Sequence, residues 1–430
     1  MIRYLFLVII FLLPFQFALN PGDNIDLGVT RILVPVVFLF WFLEGLAKRN
    51  IWIANWVESW LILSFLFLSL FSLWAGLDPE KGVRKVLYLF SIFPIFFVAA
   101  DLAREVKFRT KIFRAIWISG TLAALVGIVQ FLLPFAVGLN SALTIWKKIT
   151  PLFLGSSFGE LVINNPSWLV NVSGKTWMRA FGFFPDPHTF SFFMGLCFFI
   201  CLGYFAWEKK WKWKVLAGIS TVFMFLATVL SFSRGAYLGM LLGSLFFFII
   251  LAVKFFGKTG KIAIVGVALA FLLSIFFQET IQNRLTSVFN PKEGSNTERI
   301  KNWKQAFEIV RNYPLSGIGL GNYTFYIDPS SKERSSIYAH NTFLDIAAET
   351  GILNGLLFIF LILISLSRSA ISKNILNLGI ASGLTHFLVH SIFDTPIWSP
   401  QVMVVLLVIL ALGVSRPPGS KMAKAGLNQN

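Results

Sequence analysis

Residues Phe190 to Val253 read FSFFMGLCFFICLGYFAW, EKKWKWK, VLAGISTVFMFLATVLSF, SRG and AYLGMLLGSLFFFIILAV. Three apolar runs of eighteen residues alternate with one basic connection, Glu208 to Lys214, and one very short turn around Arg234. Runs of that length nearly match the hydrocarbon thickness of a bilayer when wound as helices. Unpaired backbone groups are costly in hydrocarbon, so helices are expected here and open strands are not.

The same rhythm continues in both directions. Upstream lie Tyr4 to Leu19, Leu27 to Leu46, Val57 to Leu77, Val86 to Ala103 and Ile112 to Leu133. Downstream follow Ile262 to Phe277, Phe343 to Leu366, Ile375 to Phe393 and Ile397 to Val414. The expected architecture is an all-α polytopic membrane protein of about twelve transmembrane helices, a single integral membrane domain over 1–430. Composition agrees: 56% of residues are hydrophobic and only 13% charged, which excludes an ordinary soluble domain. Arg3 before the first run imitates a signal peptide, but no small-x-small cleavage site follows, so an uncleaved span is expected.

A net charge of +17 would suggest nucleic acid in a soluble chain. Its distribution gives another meaning. Twenty Lys and Arg residues fall on one side of the alternating ladder, among them the cluster Arg104, Lys107, Arg109, Lys111 and Arg114 and the cluster Lys209 to Lys214. The short loops of the other side hold only Lys81, Arg84, Lys85 and Arg234. Basic loops stay cytoplasmic, so both termini, including a tail at 415–430, are expected inside the cell, and nucleic-acid binding is not expected. Cys197 and Cys201 sit one turn apart in an apolar run, where packing is their expected role.

Two segments depart from the short-loop pattern, 134–187 and 278–341, and both are expected on the outer side, where long loops tend to carry function. In the second, residues 296–313 read as an amphipathic surface helix. Ser295 and Glu298 have capping-box spacing, Ile300, Trp303, Phe307 and Val310 form an apolar stripe, and Pro314 ends it.

Residues with chemical potential collect on that side. RAFGFFPDPHTF, Arg179 to Phe190, combines Arg179, Asp186 and His188 ahead of the sixth span. SFSRGAYLG places Arg234 in a tight turn, and TERIKNW places Arg299 in the first turn of the surface helix. YAHNTFLDIAAETG holds Tyr338, His340, Asn341, Asp345 and Glu349, the last two and Asn341 at four-residue spacing. HFLVHSIFD puts His386, His390 and Asp394 at the same spacing. That spacing suits a metal, but no further ligand set accompanies it, so packing and hydrogen bonding are the reading and no metal or other cofactor is expected. GIGLG at Gly317 to Gly321 lacks the Lys-Ser/Thr of a phosphate loop. Ser231 and Ser233 lack a GxSxG elbow. Arginine forks fit diphosphate oxygens at any physiological pH, and an imidazole can take a proton from an attacking hydroxyl.

In their order and spacing these motifs resemble the O-antigen ligase and polymerase superfamily of bacterial membrane glycosyltransferases, over most of the chain and most strongly from Arg179 to Asp394. The resemblance implies an enzyme of the plasma membrane, active on its outer side in lipopolysaccharide or polysaccharide biosynthesis. The implied donor is a glycan on undecaprenyl diphosphate, and the implied acceptor is a lipid, glycan or protein hydroxyl, with membrane lipids as surroundings. His340 matches the family's catalytic base, and Arg179, Arg234 and Arg299 match its diphosphate-contacting arginines. Asn341, Asp186 and His188 are expected beside the substrate, with Tyr338, Glu349, His390 and Asp394 in support. His188 stands where the family often has Asn, and Asn354 three residues after Gly351 also departs from the ligase pattern. A polymerase or protein O-oligosaccharyltransferase of the same superfamily is the near alternative. A lipid-linked precursor transporter or flippase is the alternative of another class, against which stand the absence of an internal repeat and the one-sided placement of polar residues.

Overall fold

The computed structural model describes residues 1–22, 25–54, 56–164, 166–172, 174–257, 260, 266, 294–330 and 338–414. Apart from Gly266, the expected ninth span, Ile262 to Phe277, lies outside the described residues, as do 278–293 and the tail 415–430. The chain is mostly helical. In order come α1 (Ile2–Leu12), the hairpin β1 (Ala18–Gly22) and β2 (Ile25–Gly28), α2 (Val29–Ala47), α3 (Val57–Phe71), α4 (Pro79–Ile92), α5 (Ile95–Leu102) and α6 (Val106–Val137). Then come α7 (Leu139–Leu154), α8 (Ser156–Ile163), the hairpin β3 (Leu169–Val172) and β4 (Lys175–Met178), α9 (Pro187–Trp207), α10 (Trp211–Leu230) and α11 (Arg234–Phe255). The rest comprises α12 (Gly294–Asn312), α13 (Tyr323–Ile327), α14 (Thr342–Thr350), α15 (Ile352–Ile371), α16 (Ile375–His390) and α17 (Pro400–Val414).

Eight segments among the described residues are long and apolar enough to cross a membrane: α2, α3 with the turn that follows it, α4 with α5, α6, α9, α10, α11 and α15. Three shorter apolar helices, α1, α16 and α17, fall where the first, eleventh and twelfth spans are expected. A helix that is apolar all round belongs in the interior. Accordingly α17 is buried at every residue from Gln401 to Leu412, and α9 is nearly as enclosed, whereas α2 and α10 turn most of their surface outward. Close approach of α9 and α16 depends on small residues: a Cβ on Gly203 would stand 2.9 Å from the Gly379 Cα.

One end of the bundle gathers the starts of α9, α11, α14 and α17 and the ends of α10 and α16. The opposite end carries the basic clusters, and part of their charge is internal. Arg109 is buried on α6 and donates to the Asn377 Oδ1 of α16 at 2.6 Å and to the Leu412 carbonyl of α17 at 2.9 Å. Arg114 donates to the Tyr204 hydroxyl at 2.7 Å, and Arg368 pairs with fully buried Glu58 at 2.6 Å. These arginines tie helices together in addition to any part in topology.

Residues 134–187, expected as a long outer loop, contain the end of α6, α7, α8 and the β3–β4 hairpin. Two expectations need correction. The expected span from Phe343 breaks at Gly351, whose φ of +92° and whose position 2.1 Å, in Cβ terms, from the Leu315 carbonyl exclude any side chain. Finally, α12 buries Ala306, Ile309 and Val310 against Ala339, Ala347 and Ala348, while Ile300 and Phe307 point outward. The small alanines let α12 lie close on α14, so the buried stripe is rotated from the one read in the sequence.

Candidate functional site

The polar centre is built from loops that leave these helices at one end of the bundle. Buried Gln130, near the end of α6, holds the Arg179–Gly182 loop: its amide donates to the Arg179 carbonyl at 3.0 Å, and its Oε1 accepts from the Phe181 and Gly182 amides at 2.8 and 3.0 Å. Ala180 N also donates to the Leu230 carbonyl at 2.9 Å, bringing this loop beside the α10–α11 turn. Side chains at helix starts fix the rest. Asp186 caps α9, with Oδ1 accepting from the His188 and Thr189 amides at 2.8 Å each and Oδ2 from the Thr189 hydroxyl at 2.6 Å. Ser233 caps α11, and Asn341 caps α14 through the Phe343 and Leu344 amides at 3.1 Å each.

At the centre one carboxylate bridges two imidazoles. Asp394 Oδ1 lies 3.3 Å from His340 Nδ1, and Oδ2 lies 3.1 Å from His188 Nδ1. The Asp394 carboxylate also accepts from the Thr395 amide at 2.9 Å, and its own carbonyl accepts from the Thr342 hydroxyl at 2.8 Å. His188 continues the network: Nδ1 is 3.1 Å from Ser233 Oγ, which is 3.3 Å from His390 Nε2. His340 and Phe232 are both non-glycine residues with left-handed φ, +53° and +50°. Such strain persists only where surroundings over-determine it, and here both strained residues border the same cluster.

The electrostatics give these groups distinct tasks. Burial pushes the Asp394 carboxyl up, but His188, His340 and Arg299 outweigh it and hold the group well below the usual carboxylate range. Burial likewise pushes the His340 imidazole down, yet the hydrogen bond and charge of Asp394 outweigh it, so the ring ends above its ordinary value. An anionic Asp394 fixes the neutral His340 tautomer with the proton on Nδ1. The lone pair of Nε2 is then directed away from the carboxylate, on a half-exposed ring.

The remaining candidates divide into two groups. Arg179 is buried and anchored: Nε donates to the Ser231 carbonyl at 2.8 Å, one terminal nitrogen to the Ser167 carbonyl at 3.1 Å, and the other approaches His188 Nε2 at 3.4 Å. Arg234 begins α11 one residue after Ser233, and the charge of Arg299 acts on His188, His340 and Asp394. His390 stacks on Phe192 at 3.6 Å, buried beneath the cluster. Glu349 and Tyr338 stand apart from it. Glu349 pairs with Lys85 of α4 at 2.9 Å, Lys85 lies 4.1 Å over the Trp398 ring and 6.0 Å from that of Tyr338, and a small cavity is lined by Tyr338, Asp345, Glu349 and Trp398.

Sequence reasoning put Asp394 on one helical face with His386 and His390, but α16 ends at His390 and the following turn swings Asp394 to His340 and His188. His386 stays fully buried below. Reasoning from sequence noticed Asp345 only as a spacing and missed its use. Oδ1 accepts from the Ala339 amide at 2.7 Å and Oδ2 accepts from the Thr395 hydroxyl, so Asp345 fixes the neighbours of both His340 and Asp394. Burial is the main reason its carboxyl is pushed up to about 6. Gln130 and Ser233 were also missed; a glutamine near the end of an apolar run was the available signal for the first. Among the described residues no cluster of His, Cys, Asp and Glu is arranged to hold a metal ion.

The fold and this centre define a multi-pass membrane protein whose chemistry-bearing groups converge at one end of its bundle. Residues 219–359, about a third of the chain, match the family model described as O-antigen ligase, a likeness that supports the O-antigen ligase superfamily. The matched stretch includes Arg234, Arg299, His340 and Asn341; Arg179, Asp186 and His188 precede it and Asp394 follows it. No curated protein matches the chain.

Proposed function

We propose that this protein transfers a glycan from undecaprenyl diphosphate to an acceptor hydroxyl at the outer face of the plasma membrane, in the manner of an O-antigen ligase. The observation that carries the reading is the Asp394–His340 pair with its 3.3 Å contact, which leaves Nε2 as the basic nitrogen. In the reaction the acceptor oxygen attacks the anomeric carbon of the donor, its proton passes to His340 Nε2, and the bond from that carbon to the diphosphate oxygen breaks. Undecaprenyl diphosphate leaves carrying the electron pair. Arg234 and Arg299 stabilise the charge that grows on this leaving group, and Arg179 frames the wall beside them. The outer-face assignment rests on the cationic clusters at the opposite end of the bundle, the end the positive-inside rule assigns to the cytoplasm.

The test is transfer of a labelled glycan from undecaprenyl diphosphate by purified protein in lipid vesicles. His340→Ala is expected to abolish product while the protein inserts and unfolds as the parent does. Product formed at the parental rate removes His340 from the chemistry and the reading with it.

A further inference from the structure

His188 reads in the sequence as a substrate ligand, yet both its ring nitrogens face protein groups. A guanidinium has only donors, so Nε2, at 3.4 Å from Arg179, is the acceptor nitrogen and the ring proton sits on Nδ1. Nδ1 then hydrogen-bonds Ser233 Oγ at 3.1 Å and stands equally close, 3.1 Å, to Asp394 Oδ2, so its N–H dipole lies against the carboxylate. The backbone amide of His188 is engaged as well, by the Asp186 cap. The imidazole is held between Arg179 and Ser233, beside one oxygen of the carboxylate whose other oxygen hydrogen-bonds His340.

We propose that His188 is a positioning residue that sets the base strength of His340 by sharing the Asp394 carboxylate with it. This inference rests on the transfer reading above, in which His340 is the base. A polar N–H group against one carboxylate oxygen offsets part of the charge that the other oxygen presents, and its removal leaves more of that charge to act on His340. The groups that face the pair bear on its sign. Asp186 and His188 come from the start of α9, Arg179 from the loop before it, Ser233 from the α10–α11 turn, Arg299 from α12, Asp345 from α14 and His390 from α16. Of these, His188 and His340 each bring a ring nitrogen within 3.3 Å of an Asp394 oxygen, the two on different oxygens.

The chain has four histidines, which makes a direct titration tractable. Ring-labelled histidine in the purified full-length protein, in lipid nanodiscs, gives four titrating or silent signals by NMR, and His340→Gln identifies one of them. His188→Leu keeps apolar bulk and removes the donor. Its His340 midpoint is expected to move upward, and the acid limb of glycan transfer with it, lowering the rate about three-fold at a pH below the parental midpoint for a half-unit move. His188→Asn places an amide nitrogen where Nδ1 stands and is expected to keep the parental midpoint. A midpoint unchanged or lowered in His188→Leu overturns the proposal. Should that variant not fold, a midpoint displaced in His188→Asn overturns it and a retained one supports it. If instead the midpoint moves as expected while transfer shows no limb tracking it, His340 is not the base and the transfer reading fails while the coupling stands.

Discussion

Replacing Asp394 by Asn keeps the size and one oxygen but removes the charge shared by two imidazoles. With charges about 4 Å apart and an effective dielectric of about 20, a carboxylate–imidazolium attraction is worth ~4 kcal/mol. If all of it acts as His340 takes the acceptor proton, the loss is about three decades in rate. A second effect has the same sign. The Asn amide can donate to His340 Nδ1, which moves the ring proton to Nε2 and blocks the nitrogen that must accept; in serine proteases the corresponding change costs about 10⁴. The expected result for Asp394→Asn is thus a kcat lowered by at least about 10²-fold at saturating donor and acceptor. The pH profile separates this from misfolding. In the parent, Asp394 raises the His340 midpoint above its ordinary value; the neutral ring is the active form, so transfer is present above that midpoint and lost as pH falls through it. In Asp394→Asn the residual acid limb moves to lower pH. A kcat within about five-fold of the parent, or a limb that stays in place, refutes the assignment.

Four further outcomes follow from the same geometry. Arg234→Lys and Arg299→Lys keep charge but lose the planar fork, and each is expected to reduce transfer by about 10-fold or more when assayed with the diphosphate-linked donor. Asp345→Asn loosens the anchors at Ala339 and Thr395 and is expected to lower kcat more than donor affinity, read from saturation curves. Lys85→Met leaves Glu349 buried without its cation, expected to cost about 3 kcal/mol in unfolding experiments, whereas Lys85→Met with Glu349→Leu is expected to recover most of it. Gly351→Ala combines positive φ with a clash on the Leu315 carbonyl and is expected to cost ~2 kcal/mol or more by thermal unfolding in detergent.

Much of the scaffold is legible in the sequence because hydrocarbon leaves few choices for an apolar run. The positions of α9, α10 and α11 match the quoted runs within a few residues. Burial within the bundle is not legible in the same way, since lipid and protein interior are equally apolar. Thus nothing in the letters separates enclosed α17 from outward-facing α10, and the apolar residues of α12 do not reveal whether Ile300 or Ile309 meets protein. Helix starts at the centre were legible as chemistry but not as caps: Asp186 and Asn341 look like substrate ligands until their oxygens are seen on backbone amides. The Asp394 contact was hidden because periodicity assumes the helix continues, and α16 stops four residues earlier. The Asp345–Thr395 contact was hidden because it joins residues fifty apart in the chain.

The most direct measurement is cryo-electron microscopy of the full-length protein bound to a non-transferable glycosyl analogue of undecaprenyl diphosphate together with its acceptor. The account predicts the diphosphate between Arg234 and Arg299, and the acceptor oxygen about 3 Å from His340 Nε2. A diphosphate seated away from both arginines, with the His340 ring turned from the acceptor, contradicts it.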